Sequence, residues 1–489
     1  MGFFSRRRRH DPKTAQISVP KFEPSQSPEK RIDIATTLQY GRATGLPALA
    51  DFVREFTLDH MLQGKLAYAD DRADILLTCG STDGFSKVVG CLGSPGDSML
   101  VEEVTYPNAL QTATPYGIRA APVRMDRDGM MVDGPGGLRD VLENWDEERN
   151  GRRPHLMYTV TIGQNPTGVL LKRQRRRQIY ELCDAHDVVI IEDDPYWHLQ
   201  FTAESHRKPA AGEKPTYPFL AALEPSFLTI DTAGRVVRLD TFSKTIAPGC
   251  RMGWITAQKP IIAALVGATE TSTQQPSGFA QGMVAELLCR SWGMDGWVAW
   301  LESLRDAYEE RMLAMTDILE SGKELITVVS RDDLEVVERT QLYSFAKPDG
   351  GMFVWVRMNL RSHPAYRCFL ARGNTKADLM AKLWDWNVLT QLALASPGGI
   401  FAAAEGEPRD KADECFRFSF AAIELDEVKS ATARWLKGTS EFWRLQAWEI
   451  EKIGEDETVV GAPGAAAAKR EGGRMGRVLG RQDETGGRV

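Results

Sequence analysis

Five short apolar runs constrain this chain more than any other feature. Ile75-Leu76-Leu77-Thr78, Ser98-Met99-Leu100-Val101, Leu156-Met157-Tyr158-Thr159-Val160, Val188-Val189-Ile190-Ile191 and Val236-Val237-Arg238-Leu239 are strand-length and almost continuously apolar. A strand with one wet face would alternate polar and apolar residues, so these predict strands buried on both faces. Helical patterns lie between them. Phe85, Val88, Val89 and Leu92 follow i, i+3, i+4, i+7 spacing, and Arg175 to His186 reads as a second helix. Strand and helix alternation predicts an α/β fold with a mainly parallel sheet. From about Trp297 the texture changes. A long helical stretch through Ala314 precedes two alternating strands, Met352-Phe353-Val354-Trp355-Val356 and Phe416-Arg417-Phe418-Ser419-Phe420, and then a helix from Glu424. This part reads as a smaller α+β domain.

The 489 residues exceed what one hydrophobic core usually serves. The expected division is a poorly ordered arm over 1–35, a large domain over 36–300, a small C-terminal domain over 301–455 and a disordered tail over 456–489. The first segment carries the Arg6-Arg7-Arg8-Arg9 run with Pro20, Pro24 and Pro28, and the last is rich in Gly, Ala and Arg. A net charge of -7 argues against a nucleic-acid partner, and that arginine run is expected to be solvated. No apolar run approaches the roughly 18 residues of a membrane span, so no membrane domain is expected. Seven scattered cysteines without a C-x-x-C pair indicate neither a disulfide framework nor a zinc site. A reducing compartment, the cytoplasm, is the expected location. His155 and His198 show no metal-ligand spacing, and no metal is expected.

In open α/β sheets ligands gather outside the carboxyl ends of the strands. The first run leads into Cys79-Gly80-Ser81-Thr82-Asp83-Gly84, a small-residue turn that either caps a helix at Ser81 or Thr82 or offers hydroxyls and backbone N–H groups to a phosphate. The third leads into Gly163-Gln164-Asn165-Pro166-Thr167-Gly168, a tight turn that aims Asn165 back over the sheet. The fourth ends at Glu192-Asp193-Asp194-Pro195-Tyr196, either a solvated acidic loop or acidic groups and a phenol aimed at a ligand. The fifth leads into Asp240-Thr241-Phe242-Ser243-Lys244-Thr245 and Pro248-Gly249-Cys250-Arg251, which suits a phosphate cluster with a reactive amine.

Together these four turns resemble, in order and spacing, the fold type I pyridoxal-phosphate (PLP) enzymes and, more narrowly, the class I/II aminotransferases. The resemblance covers about Ile34 to Leu436, and the string from Thr241 to Arg251 matches the family's Ser-x-Ser-Lys-x-x-x-x-Gly-x-Arg with Thr in first place. Leu38-Gln39-Tyr40-Gly41, Glu192-Asp193-Asp194-Pro195-Tyr196 and Asp349-Gly350-Gly351-Met352-Phe353 look most like the fungal aromatic-amino-acid and kynurenine/2-aminoadipate aminotransferases. The resemblance implies an aspartate-aminotransferase-like fold and transfer of an amino group to a 2-oxo acid such as 2-oxoglutarate. It implies that Lys244 holds PLP as a Schiff base and moves the Cα proton, and that Asp193 pairs with the pyridine nitrogen, with Asp194 as the neighbouring alternative. Asn165 and Tyr196 are implied to bond the ring oxygen, and Tyr106 to stack on the ring. Ser81, Thr82, Thr241, Ser243 and Arg251 are implied to form the phosphate cup, Tyr40 to reach the phosphate from a second subunit of a homodimer, and Arg417 to clamp the substrate carboxylate.

One departure stands out. The family's Gly-Gly-Leu-Pro-like segment has no counterpart before Leu38-Gln39-Tyr40, where the chain offers only Ile17-Ser18-Val19-Pro20-Lys21-Phe22. The expectation is a truncated N-terminus or a missing pocket lid, with PLP binding kept and substrate affinity weakened. Two rival readings are another PLP reaction such as β-elimination, and a non-catalytic PLP-binding protein.

Overall fold

The computed structural model describes residues 17–454, apart from 69–72, 210, 211, 213, 214, 332, 333 and 422. The Arg6-to-Arg9 run and the tail expected over 456–489 lie outside the described residues.

A seven-stranded sheet forms the centre. Its strands in chain order are β1 (Ala73–Thr78), β2 (Ser98–Glu102), β3 (Arg119–Val123), β4 (Leu156–Thr159), β5 (Val189–Asp193), β6 (Val236–Thr241) and β7 (Gly253–Gln258). Across the sheet they lie in the order β1-β7-β6-β5-β4-β2-β3. β7 runs antiparallel to both neighbours and every other pair is parallel. The five apolar runs are β1, β2, β4, β5 and β6. β3 escapes the sequence pattern because Arg119-Ala120-Ala121-Pro122-Val123 has little apolar bulk, and its proline is tolerated because the strand is an edge.

Continuous apolarity has the expected consequence. Leu77, Leu100, Met157, Ile190 and Val236 pack into one buried cluster. Their chain neighbours Leu76, Met99, Leu156, Ile191 and Val237 pack into another. Successive side chains of a strand point to opposite faces, so both faces are dry. Each such side chain contributes about 1.5–3 kcal/mol on burial. Connecting helices supply the covers: α1 (Ser81–Leu92) and α3 (Lys259–Glu270) place Val88, Val89, Ile262 and Leu265 on one face, while α2 (Arg173–Ala185) places Ile179 and Leu182 on the other.

The chain divides into two compact units. The first comprises the chain to Asp317 with Phe345–Arg357 and Ser396–Leu425, and the second comprises Ile318–Ser344, Met358–Ala395 and the chain from Asp426. The single boundary expected at 300/301 is therefore corrected: the chain re-enters the first unit, since Met352 and Phe353 belong to the same buried cluster as the sheet strands. The first unit also holds most of α4 (Gly293–Ser321) and an antiparallel set, β8 (Phe353–Met358), β9 (Ser396–Pro397) and β10 (Cys415–Ser419). The second unit contains the hairpin of Glu324–Arg331 with Leu334–Gln341, and helices α5 (Lys376–Gln391) and α6 (Leu425–Phe442), which meet where Trp386 Nε1 donates to the Gly438 carbonyl. The arm expected over 1–35 also needs correction within its described part. Ile32 and Asp33 are buried, and the Asp33 carboxylate accepts from the backbone N–H of Glu23 and Thr36. Among the described residues no helix is long and apolar enough to cross a membrane.

Candidate active site

Six of the seven strands share one direction, so their carboxyl ends meet at one edge of the sheet. Thr78, Gly253 and Thr241 stand there in one cross-strand row. Beyond that row Gly80 adopts φ +94 and serves as the N-cap of α1 without a side-chain bond. Ser81 and Thr82 are thus the first two helical residues, and the reading in which one of them caps the helix is overturned. A Cβ on Gly80 would come within 2.6 Å of Arg251 Nη2, so glycine is what lets the helix end approach this guanidinium. Arg251 Nη1 donates to Ser243 Oγ and to the Pro248 carbonyl, each at 3.0 Å. Thr241 Oγ1 lies 3.0 Å from Ser243 Oγ and accepts from the Ser243 N–H. Hydroxyls, one guanidinium and the amino end of a 12-residue helix are thereby gathered into a cup for an anion.

Lys244 closes the tight turn after β6 and is half-buried. Burial pulls its ammonium pKa down, the charges of Arg251 and Arg417 push the same way, and Asp193 opposes them. Asp193 is the last residue of β5. Its Oδ2 accepts from the Tyr158 hydroxyl at 2.8 Å, whereas its buried Oδ1 has no partner among the described residues. Burial raises its pKa to about 7, against the pull of that hydroxyl. Asp194 is spent on the scaffold: it accepts from the Thr161 N–H and hydroxyl, from the Ile162 N–H and from Arg238. The solvated-loop reading of this segment is overturned, because Glu192, Asp193 and Asp194 are all buried.

Asn165 follows β4 and accepts on Oδ1 from Arg417 Nη1 at 2.8 Å. The Arg417 guanidinium lies over the rings of Phe353 and Phe401, 4.2 and 4.7 Å from their centres, and Nη2 donates to Ser396 Oγ. Burial lowers its pKa below the usual arginine value, and its buried Nε has no partner among the described residues. A guanidinium held by ring faces and neutral oxygens keeps its charge for an incoming carboxylate. Tyr196 is buried edge-on to Phe353, and burial raises its phenol pKa. Tyr106 is half-buried; burial and then Asp193 raise its pKa, while Arg251 and Arg417 oppose. Asp193, Arg251 and Arg417 therefore lie within electrostatic reach of both Tyr106 and Lys244. Tyr40 is not among them: it is 90% exposed, on a surface cavity with Gly41 and Gln275.

Two members of the site were missed in the sequence. Tyr158 looks like strand filler, and its hydroxyl matters only because β4 and β5 pair and bring it to Asp193. Phe353 stood inside a quoted motif without a role. Among the described residues no group of three or more His, Cys, Asp or Glu side chains is placed to hold a metal.

The sheet and the constellation on its carboxyl edge define a transferase of the aspartate-aminotransferase fold type, whose members use PLP. The model of the aminotransferase class I and II family matches residues 20–434, and the chain belongs to that family. It is 36% identical over 397 residues to an L-tyrosine:2-oxoglutarate aminotransferase of Tapinella panuoides, covering 81% of this chain and 69% of the relative. An aromatic amino acid aminotransferase of Schizosaccharomyces pombe is 33% identical over 424 residues, covering 86% and 81%. Among solved structures, the aminotransferase Aro8 of Candida albicans superposes with a TM-score of 0.72 at 33% identity, covering 88% of this chain and 84% of that one. The chain is accordingly an enzyme, a transaminase.

Proposed function

We propose that this transaminase takes its amino group from an aromatic amino acid and gives it to 2-oxoglutarate, with PLP on the carboxyl edge of the sheet. The observation that carries the reading is the unpartnered Asp193 Oδ1, buried beside Lys244 and aligned by Tyr158. A protonated ring nitrogen is the donor such an oxygen lacks. The rest of the site also fits the cofactor: the cup of Ser81, Thr82, Thr241, Ser243 and Arg251 suits a phosphate dianion, and the Gly80 clearance leaves room for Arg251. Bound PLP supplies an electron-withdrawing ring that stabilises negative charge at the substrate Cα.

The chain's own groups account for the remainder. Burial and two neighbouring arginines favour the neutral amine of Lys244, which can then hold and return the Cα proton. Arg417 presents its planar fork to the α-carboxylate and is oriented by Asn165 and by two ring faces. Tyr196 and Asn165 are assigned to the ring oxygen, and Tyr106 to the face of the ring. The exposure of Tyr40 supports a homodimer in which it reaches the partner's phosphate site. The free thiols of all seven cysteines suit a reducing compartment such as the cytoplasm.

The test is purification of the full chain with PLP, a visible spectrum of bound cofactor, and a panel of amino donors with 2-oxoglutarate. Aromatic donors should be consumed with stoichiometric glutamate. Pyruvate release without any 2-oxo acid acceptor would instead indicate β-elimination, and bound cofactor without turnover a binding protein.

A further inference from the structure

A cavity of about 570 Å³ adjoins the lysine turn, with Lys244 in its lining. Trp300, Leu304, Tyr308 and Met352 give it an apolar and aromatic wall, and Arg311 is its one cation besides Lys244. The size and the mostly apolar lining with a few placed polar groups are those of a small-molecule pocket. Trp300 is fixed by donating its Nε1–H to the Thr245 carbonyl at 2.7 Å, so the wall is tied to the residue following Lys244. Lys244 and Met352 link the cavity to the carboxyl-edge site, Met352 preceding the Phe353 ring over which Arg417 lies. The Arg311 guanidinium is 5.7 Å from the centre of the Tyr308 ring. Its ion-pair neighbour, Glu424, is 3.6 Å away with 82% of its side chain exposed. Glu424 holds its end of this pair mostly in water, so an incoming carboxylate can compete with it for the Arg311 guanidinium.

Transamination uses one site twice, the donor leaving as a 2-oxo acid before the acceptor enters. Both side chains must then occupy the same space. A ring fits the aromatic wall, but a dicarboxylic acceptor brings a second carboxylate that an apolar pocket rejects unless a cation meets it. We infer that this cavity receives the substrate's side chain and that Arg311 binds the distal carboxylate of a dicarboxylic 2-oxo acid. The inference rests on the transaminase reading proposed above and names a specificity-determining residue for it.

The experiment measures equilibrium binding to the PLP-loaded full chain by calorimetry, with glutarate as the unreactive dicarboxylate and 3-phenylpropionate as the aromatic monocarboxylate. In Arg311→Met, glutarate should bind about ten- to a hundredfold more weakly, the loss expected for one charge-assisted contact. Binding of 3-phenylpropionate should stay within about twofold, and Arg311→Lys should recover part of the glutarate affinity. Methionine and lysine are both good helix formers, so α4 should persist in either variant. Equal weakening of both probes, or no change in either, overturns the inference. Turnover measured in parallel separates the two readings. A wild-type chain that binds glutarate through Arg311 yet transaminates nothing refutes the proposed function alone, and a transaminating chain whose Arg311→Met variant keeps glutarate affinity refutes this inference alone.

Discussion

Two neighbouring groups of buried charge behave in opposite ways. Beneath the site, Glu192, Asp194 and Asp240 face Arg176 and Arg238. Glu192 also accepts from the Ser226 hydroxyl and the Phe227 N–H, and Asp240 binds Arg238 through both oxygens. One residue along β5 from Glu192, Asp193 meets a single hydroxyl and leaves an oxygen orphaned; Arg417 likewise has a buried Nε without a partner. Both regions are dry, yet only the first is largely satisfied. Buried charge paired within the chain belongs to the scaffold, whereas buried charge left open marks where something else must bind.

The widest separation should come from Lys244. Lys244→Ala should abolish the visible band of bound cofactor and lower transamination by roughly 10⁴-fold or more, with little change in thermal midpoint. Arg238→Met should do the reverse. It removes the cation shared by three buried carboxylates and should cost about 3–5 kcal/mol, read as a lower urea midpoint, before any effect on chemistry is measured. The adjacent aspartates give a closer comparison: Asp194→Asn should destabilise the fold, while Asp193→Asn should lower kcat by about 10²-fold and leave the fold intact.

The smallest effect concerns pH. Asp193 has a folded pKa of about 7 against an ordinary 3.8, so between those values the folded apoprotein binds more protons than the unfolded chain. Stability contributed at this position therefore falls as pH rises from about 4 to about 7 and is constant above. Urea titrations of the apoprotein at pH 5 and pH 8 should show wild type losing stability relative to Asp193→Asn by about 2–3 kcal/mol, the share of the window that lies above pH 5. A parallel response of the two proteins would show that Asp193 is already ionised and satisfied.

Much of this arrangement was legible in the sequence. The five apolar runs became strands because their pattern reports burial on two faces, and polar residues after them meet at one edge because parallel strands bring their carboxyl ends together. Three things were not legible. β7 was missed because Gly253 and Thr256 interrupt its apolar residues, although it supplies the row that brings Arg251 to the cup. The role of Tyr158 depends on the register Thr159↔Glu192, a pairing that no local pattern reveals. The family resemblance preferred Asp193 to Asp194, but the physical difference between them, that Thr161 and Arg238 occupy the second, is a product of the fold.

The cross-strand row of Thr78, Gly253 and Thr241 also acts as a ruler. Neighbouring strands lie about 4.8 Å apart, so three of them set a span of roughly 10 Å between the loop that carries Ser81 and the loop that carries Ser243, with Arg251 entering between them. That interval is fixed by backbone hydrogen bonds and does not depend on which side chains stand in the row. An exchange of one hydroxyl-bearing side chain for another at Thr241 or Ser243 would therefore leave the width of the proposed anion cup unchanged.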